Sequence, residues 1–423
     1  MKVIANNRRV QKYLVRQLVS RAYRWDMVSD PRKRRGRRWK RIQQLLNALL
    51  LGMASGCLTL RDVEALTSDM GAFGRKYISR RVPDTTLWDL IVLLSATELR
   101  EQLIVQIKAA WRAKSLKPVG LPCGMVAIDG KGLGSLEHDA EGTAQKTHNG
   151  NGYEYFLSRS LRAVLSSAEG RPCLDQMPIG AKTNEMGDFK TFFNRLLNSY
   201  GRNNDLFEII STDAGMTSLS NADYVHAAFK AYVMALKGPQ PELLAEAERL
   251  LGKLRKADAE TNWQRYQGKW IRRLLFQTDE IAGYHGWTHL RQAWRVVQET
   301  EDDTGTIERE ERYFVTNLPV GRLNAEQILL VVRGHWRVEN DCFWTLDTQW
   351  NEDSVPWCSQ GKAIEVVSWI RLMAYNLVQQ ARRYTLTKRL PNGNRESPPA
   401  WRRVFEWIKQ AWQLPVETIS VCS

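Results

Sequence analysis

The stretch GMVAIDGKG, Gly124 to Gly132, sets a carboxylate inside an apolar run. Met125 to Ile128 read as a β-strand, and Asp129 is of a type that strands disfavour and that is costly to bury alone. Upstream, before a change of texture at Lys117–Pro118, residues 42–118 read as helices. IQQLLNALLLGMA has apolar residues at helical spacing, and VPDTTLWDLIVLLSATELREQLIVQIKAAWRA has the outline of a helix-turn-helix. Downstream, a glycine-rich loop is expected through Gly152. Strands follow in EYFLSRSLRAVLSS and PCLDQMPIGAKT, then an amphipathic helix from Glu185 to Tyr200. DLFEIISTDAG is a strand ending at Asp213, SNADYVHAAFK a helix, AYVMALKG a strand and PELLAEAERLLGKLRKA a helix. Strands that come first and then alternate with helices predict a mixed α/β sheet. Residues 260–320 read as an inserted antiparallel β element, and Asn324–Thr348 and Gly361–Tyr384 as two long helices. The expected order is a basic arm (1–41), a helical, DNA-binding segment (42–118), the first part of an α/β core (119–259), the β-rich insertion (260–320), the helices that complete the core (321–384) and a basic tail (385–423).

Lysine and arginine number 61 against 46 acidic residues, a formal charge of +15, and 43% of the chain is hydrophobic. The balance is that of a globular protein and excludes global disorder, while the charge makes a polyanion the first partner to test. Arg8, Arg9, Lys12, Arg16, Arg21 and Arg24 lead into DPRKRRGRRWKR, with Arg34, Arg35 and Arg37 at its centre. Such a run is either a solvated arm or one that neutralises phosphates, and the net charge favours the second. Leu45–Leu60 is too short and broken to span a bilayer, and MKVIANNRRV lacks the apolar centre of a secretory signal. The six cysteines form no C-x-x-C pair. The expectation is a soluble, cytoplasmic protein without a zinc ribbon or disulfide framework. His285 and His289 would need a third ligand to hold a metal, and none stands beside them. For most of the sixteen tryptophans, core packing is the default over stacking on single strands.

Three carboxylates stand out by position. Asp129 lies in one apolar strand, and Asp213 ends another, at the sheet edge where ligand sites gather. Glu339 shares a helical face with Val332, Trp336, Cys342, Phe343 and Leu346, a stripe expected to pack on the sheet. Three oxygen donors suit Mg²⁺ or Mn²⁺, and two such ions assist phosphodiester displacement. By spacing alone each acid fits a cap, a surface group or an ion pair equally well.

Local words decide between these readings. AIDGK at 127–131, KTNE at 182–185, TDAGMT at 212–217, ALKGPQ at 235–240, YFVTNL at 313–318, and RGHWRVEN followed by LDTQWNED within 333–353 stand in order. With DPRKRRGRR upstream, the chain resembles bacterial insertion-sequence transposases of the DDE class, the ISAs type related to H-repeat-associated proteins. The resemblance covers most of residues 28–384. It implies a ribonuclease-H-like mixed sheet flanked by helices, a β insertion between the second Asp and the Glu, and an N-terminal helical domain. It implies that Asp129, Asp213 and Glu339 form a catalytic, metal-binding triad for Mg²⁺ or Mn²⁺, with two ions. Arg333 and His335 would hold phosphate or the nucleophile, and Lys131 and Lys237 would face DNA at strand ends. Asn340 and Asn351 either orient neighbours or serve as caps and packing. Asp347, Glu352 and Asp353 are acidic alternatives to Glu339, and Glu339 is preferred.

The implied activity is metal-dependent DNA cleavage and strand transfer at the element's ends, on terminal repeats and target DNA, by a homodimer or higher multimer. Alternatives are a catalytically inactive end-binding protein and a nuclease without strand transfer. The sequence departs from the family where HGRxExR becomes HGWTHLR (285–291), where GKTLRGS becomes GKGLGSL (130–136), and at Ser218, where Gln is common.

Overall fold

Short continuous apolar runs such as Met125–Ile128 and Ile209–Ile210, with helical periodicity on either side, give a mixed sheet clasped by helices. The computed structural model describes residues 2–19, 22–32, 41–136, 144–148, 150–201, 206–254, 256–266, 268–354, 357–358, 361–391 and 395–413. Arg34, Arg35 and Arg37 lie outside these residues.

The helical part comprises α1 (Lys2–Val19), α2 (Ile42–Ala54), α3 (Leu60–Ser68), α4 (Ala72–Arg75), α5 (Asp84–Leu93) and α6 (Ala96–Arg112). The first of these corrects the expectation of an arm. Val10 and Leu14, four apart on one helical face, are wholly buried, and Tyr13 Oη donates to the Leu377 carbonyl at 2.8 Å. Apolar spacing therefore outweighs the basic composition over 2–19.

The sheet is built from β1 (Met125–Leu136), β2 (Gln145–His148), β3 (Glu154–Leu165), β4 (Cys173–Pro178), β5 (Ile209–Thr212) and β6 (Ala231–Leu236), with α7 (Glu185–Leu196), α8 (Leu219–Ala227) and α9 (Pro241–Leu251) between and after the later strands. β4, β3 and β1 form an antiparallel meander, and β5 and then β6 add in parallel on the other side of β1. This order, third strand to first and then two parallel additions, is the ribonuclease-H-like arrangement. Of the glycine-rich loop expected through Gly152, residues 130–136 and 145–148 are instead strand, while 137–143 and 149 lie outside the described residues. β1 continues to Leu136, and its register slips between Gly132 and Gly134. Gly134 takes φ +146°, a conformation that side chains disfavour, so the glycines make a bulge and not a loop.

Residues 259–316 supply β7 (Ala259–Glu260), β8 (Gln264–Tyr266), β9 (Lys269–Thr278), β10 (Gln292–Glu301) and β11 (Ile307–Thr316). They are not a separate layer. β11 pairs antiparallel with β6, and β10, β9 and β7 follow, so one sheet runs through core and insertion.

The long helix expected over 324–348 is interrupted. α10 (Ala325–Arg337) passes into a π-helical turn, Val338–Phe343, before α11 (Trp344–Trp350). α12 (Gly361–Gln380) then packs against α2, α5 and α6 on one side and β1 and β4 on the other, joining helical part and sheet. α13 (Trp401–Gln413) lies in the expected basic tail, where Trp401, Val404, Phe405, Ile408 and Trp412 are buried. Among the described residues no helix is long and apolar enough to cross a membrane.

Candidate active site

Parallel register brings the first two acids together. Ile128 of β1 is paired with Thr212 of β5, and Asp129 and Asp213 each follow that pair at the same sheet edge. Asp129 is 8% exposed and accepts the Gly130 N–H at 2.8 Å. Asp213 caps a short helical turn, accepting from the Met216 N–H at 3.3 Å. Thr217 Oγ1 donates to the Ala235 carbonyl at 2.7 Å, tying this turn to β6.

A third acid, Glu185, opens α7 after its N-cap Asn184. One carboxylate oxygen from each of Asp129, Glu185 and Asp213 lies within 4.8 Å of the others. Glu185 pairs with Arg159 of β3. In the sequence Glu185 is the last letter of KTNE and the first residue of an amphipathic helix, with nothing there to give it a place in the site. The available signal was its place at the start of a helix that follows a core strand, where the helix dipole favours a carboxylate. Gly130 is what admits it: a Cβ there would stand 2.0 Å from Glu185 Oε1. We expect Gly130→Ala to push the Glu185 carboxylate aside at little cost to the stability of the metal-free fold, and to weaken Mg²⁺-induced stabilisation. Urea unfolding with and without Mg²⁺ checks both.

Glu339 comes from the π-helical turn. It lines, with Asp213, Lys237, Arg312, His335 and Trp336, an open cleft of about 760 Å³. The expectation that it sits on a buried stripe is corrected: Val332, Cys342, Phe343 and Leu346 are buried, while Glu339 is exposed. The wider turn rotates the residues inside it relative to an α-helical wheel, so Glu339 faces the cleft while its apolar neighbours keep the core. Its charge reaches Asp129. Burial, then Glu339, Asp213 and Glu185, raise the Asp129 carboxyl to about 8 against the hydrogen bond from Gly130. Burial and Asp213 likewise raise Glu185, against Arg159.

The basic candidates fall in different places. Lys237, just past β6, is exposed and lines the cleft. Lys131 does not face outward as expected. Its ammonium is 2.6 Å from Asp347 Oδ1 and lies over the Phe343 ring, with the side chain 11% exposed. His335 is buried, its Nδ1 3.0 Å from Ser211 Oγ of β5. Burial and Arg312 lower it to about 4, so it is neutral at neutral pH and lends no cation to a phosphate. Arg333 stands on the far side of α10 from the acids, in a second cavity.

Glu352 and Asn351, in the second of the two C-terminal words, serve the fold. Glu352 is fully buried and takes two hydrogen bonds from Arg162, at 2.6 and 2.8 Å. Asn351 ends α11 with φ +48° and ψ +46°, the left-handed cap that Asn tolerates well. His289 bonds Asp223 at 2.6 Å and Tyr232 at 3.0 Å, and is no partner of His285 in a metal site.

A model of the transposase DDE domain matches residues 125–377. Among curated proteins, the chain is 31% identical over 71 residues to "Putative transposase YncI" of Escherichia coli O157:H7, a match covering 17% of each chain. It is 37% identical over 67 residues to "H repeat-associated putative transposase YhhI" of Escherichia coli strain K12, covering 16% of this chain and 17% of the relative. These matches thus span less than a fifth of the relatives' own length. A piggyBac transposase in a synaptic complex with hairpin DNA is similar at a TM-score of 0.43 and 10% identity, over 96% of this chain and 77% of the other, a likeness too loose to carry an argument. The domain match is the extensive one, running from the strand of Asp129 into α12 over more than half of the chain, and by it the protein belongs to the DDE transposase family.

Proposed function

We propose that the protein binds the ends of its own insertion sequence and performs divalent-metal-dependent DNA cleavage and strand transfer. The observation that supports this most is the gathering of Asp129, Asp213 and Glu185 within 4.8 Å at one sheet edge, with Glu339 on the wall of the same cleft. The residues fit a hard cation. All donors are carboxylate oxygens, and burial, then the charges of Glu339, Asp213 and Glu185, raise the proton affinity of Asp129.

Mg²⁺ or Mn²⁺, as two ions, would be held by Asp129, Asp213 and Glu339 and would supply charge neutralisation to the phosphodiester and acidity to the attacking hydroxyl. Glu185 is a fourth acid for this set, and Arg159 holds it in place. Lys237 and Arg312, on the cleft wall, draw the DNA backbone toward the acids. The hydroxyl that attacks is water in the cleavage step and the freed 3′-OH in strand transfer, in line with the leaving oxygen both times. The helical part and the basic segment around Arg34, Arg35 and Arg37 would engage the terminal repeats. The chain would act as a dimer or higher multimer on paired ends, in the cytoplasm of a bacterium.

The test is incubation of the full chain with DNA that spans the element boundary, with and without Mg²⁺. We expect breaks at the boundary only with metal, and joining of pre-cut 3′-OH ends to a second duplex. End binding with no metal-dependent break would make the protein an inactive end binder, and breaks without joining would make it a nuclease.

A further inference from the structure

α10 and the π-helical turn that continues it have two working faces. His335, Trp336 and Glu339 line the acidic cleft, while Arg333, Trp336, Arg337 and Asn340, spaced at three and four residues, line a second cavity of about 240 Å³. Trp336 is the ridge between them, carrying the Arg312 guanidinium 4.1 Å from its ring centre. The other walls of the cavity come from the turn before β4, with Arg171, and from the insertion, with Arg265 of β8 and Arg273 of β9. Five arginines thus converge from three separate segments of the chain, and Asp341 is the one carboxylate that lines the cavity with them.

Asp341 is already engaged by Arg171. Arg265, Arg333 and Arg337 have no salt-bridge partner among the described residues. Arg171 Nε is buried without a hydrogen-bond acceptor. Guanidinium groups half-withdrawn from water beside one another repel, and such an arrangement costs free energy unless an anion enters it. Guanidinium forks suit phosphate oxygens, which accept paired N–H bonds.

We propose that this arginine-lined cavity is a phosphodiester-binding subsite, seating a DNA strand between the insertion and α10, on the opposite side of Trp336 from the acids. The choice of DNA over a small anion rests on the function proposed above. The charge chemistry does not.

The full chain is titrated with a fluorescent duplex in EDTA, where no cleavage intrudes, over a range of NaCl concentrations. Arg265→Gln changes an exposed side chain and leaves the fold intact, and Arg337→Gln changes the central one, with thermal melting recorded for both. Each lost phosphate contact is expected to reduce the slope of log K against log salt by about 0.9 and to weaken binding at fixed salt. Unchanged slopes in both folded variants would overturn the proposal. So would inorganic phosphate binding to the wild type with no change in the DNA slopes, which marks a small-anion site. Arginine-dependent slopes in a chain that never cuts DNA leave this subsite standing and remove the proposed catalysis; cutting with unchanged slopes does the reverse.

Discussion

Asp129→Asn is expected to lower Mg²⁺-dependent cleavage at least about a thousandfold, a barrier increase of about 4 kcal/mol, while binding the same DNA as well as the wild type. The amide keeps the shape of the side chain and the Gly130 contact but removes the anion at the centre of the acid cluster. Stability should move the other way. Without metal, the wild-type chain holds a buried acid against Glu339, Asp213 and Glu185, so in EDTA the variant should melt no lower than the wild type. Added Mg²⁺ should then raise the melting temperature of the wild type and leave Asp129→Asn unmoved, by mass action on a site that only the first possesses. Glu339→Gln should share the loss of cleavage. A Glu339→Gln protein that still cuts with Mg²⁺ would remove Glu339 from the site.

Arg162→Met is expected to destabilise the fold by about 3–5 kcal/mol without touching the cleft, because it takes from buried Glu352 its two closest hydrogen bonds and leaves only the longer contact with Arg371. Both partners are fully buried, and Ser368 and Gln176 complete the network around them. The double variant Arg162→Met with Glu352→Gln should recover much of the loss. The pair also fixes a pH dependence. Burial by itself would raise Glu352, but Arg162 and Arg371 bring it down to about 2. A carboxylate held below its ordinary value stabilises the fold fully above about pH 4.5 and loses that contribution as the pH falls toward 2. Urea unfolding at neutral pH and near pH 3 should show the wild type weakening between them. Arg162→Met should lose the larger part of this component, since only Arg371, 3.4 Å from Glu352, is left to hold the carboxylate down.

Much of this was legible in the chain before folding. The apolar runs leading into Asp129 and Asp213 announced strands of one sheet, with a carboxylate following each run. The helices of 42–112 followed from periodicity, and the strands of 269–316 from alternation. What escaped depends on departures from regular geometry. A helical wheel with 3.6 residues per turn put Glu339 among buried residues, and the π-helical turn at Val338–Phe343 moved it to the cleft. Glu185 was hidden because its role comes from Gly130, a missing side chain on another strand. Lys131 was read as facing DNA because its partner, Asp347, lies more than two hundred residues away along the chain. The helix at 2–19 was obscured by its own arginines, which ride on the outer face of an apolar stripe.

The pairing of β11 with β6 has a mechanical consequence. Because the ladder is unbroken from β4 across to β7, the inserted hairpins cannot swing like a tethered clamp; they flex with the catalytic strands as parts of one twisted plate. A duplex pressing on the outer hairpins would strain the hydrogen bonds beside Lys237, so load applied there is felt at the acids with no hinge to absorb it.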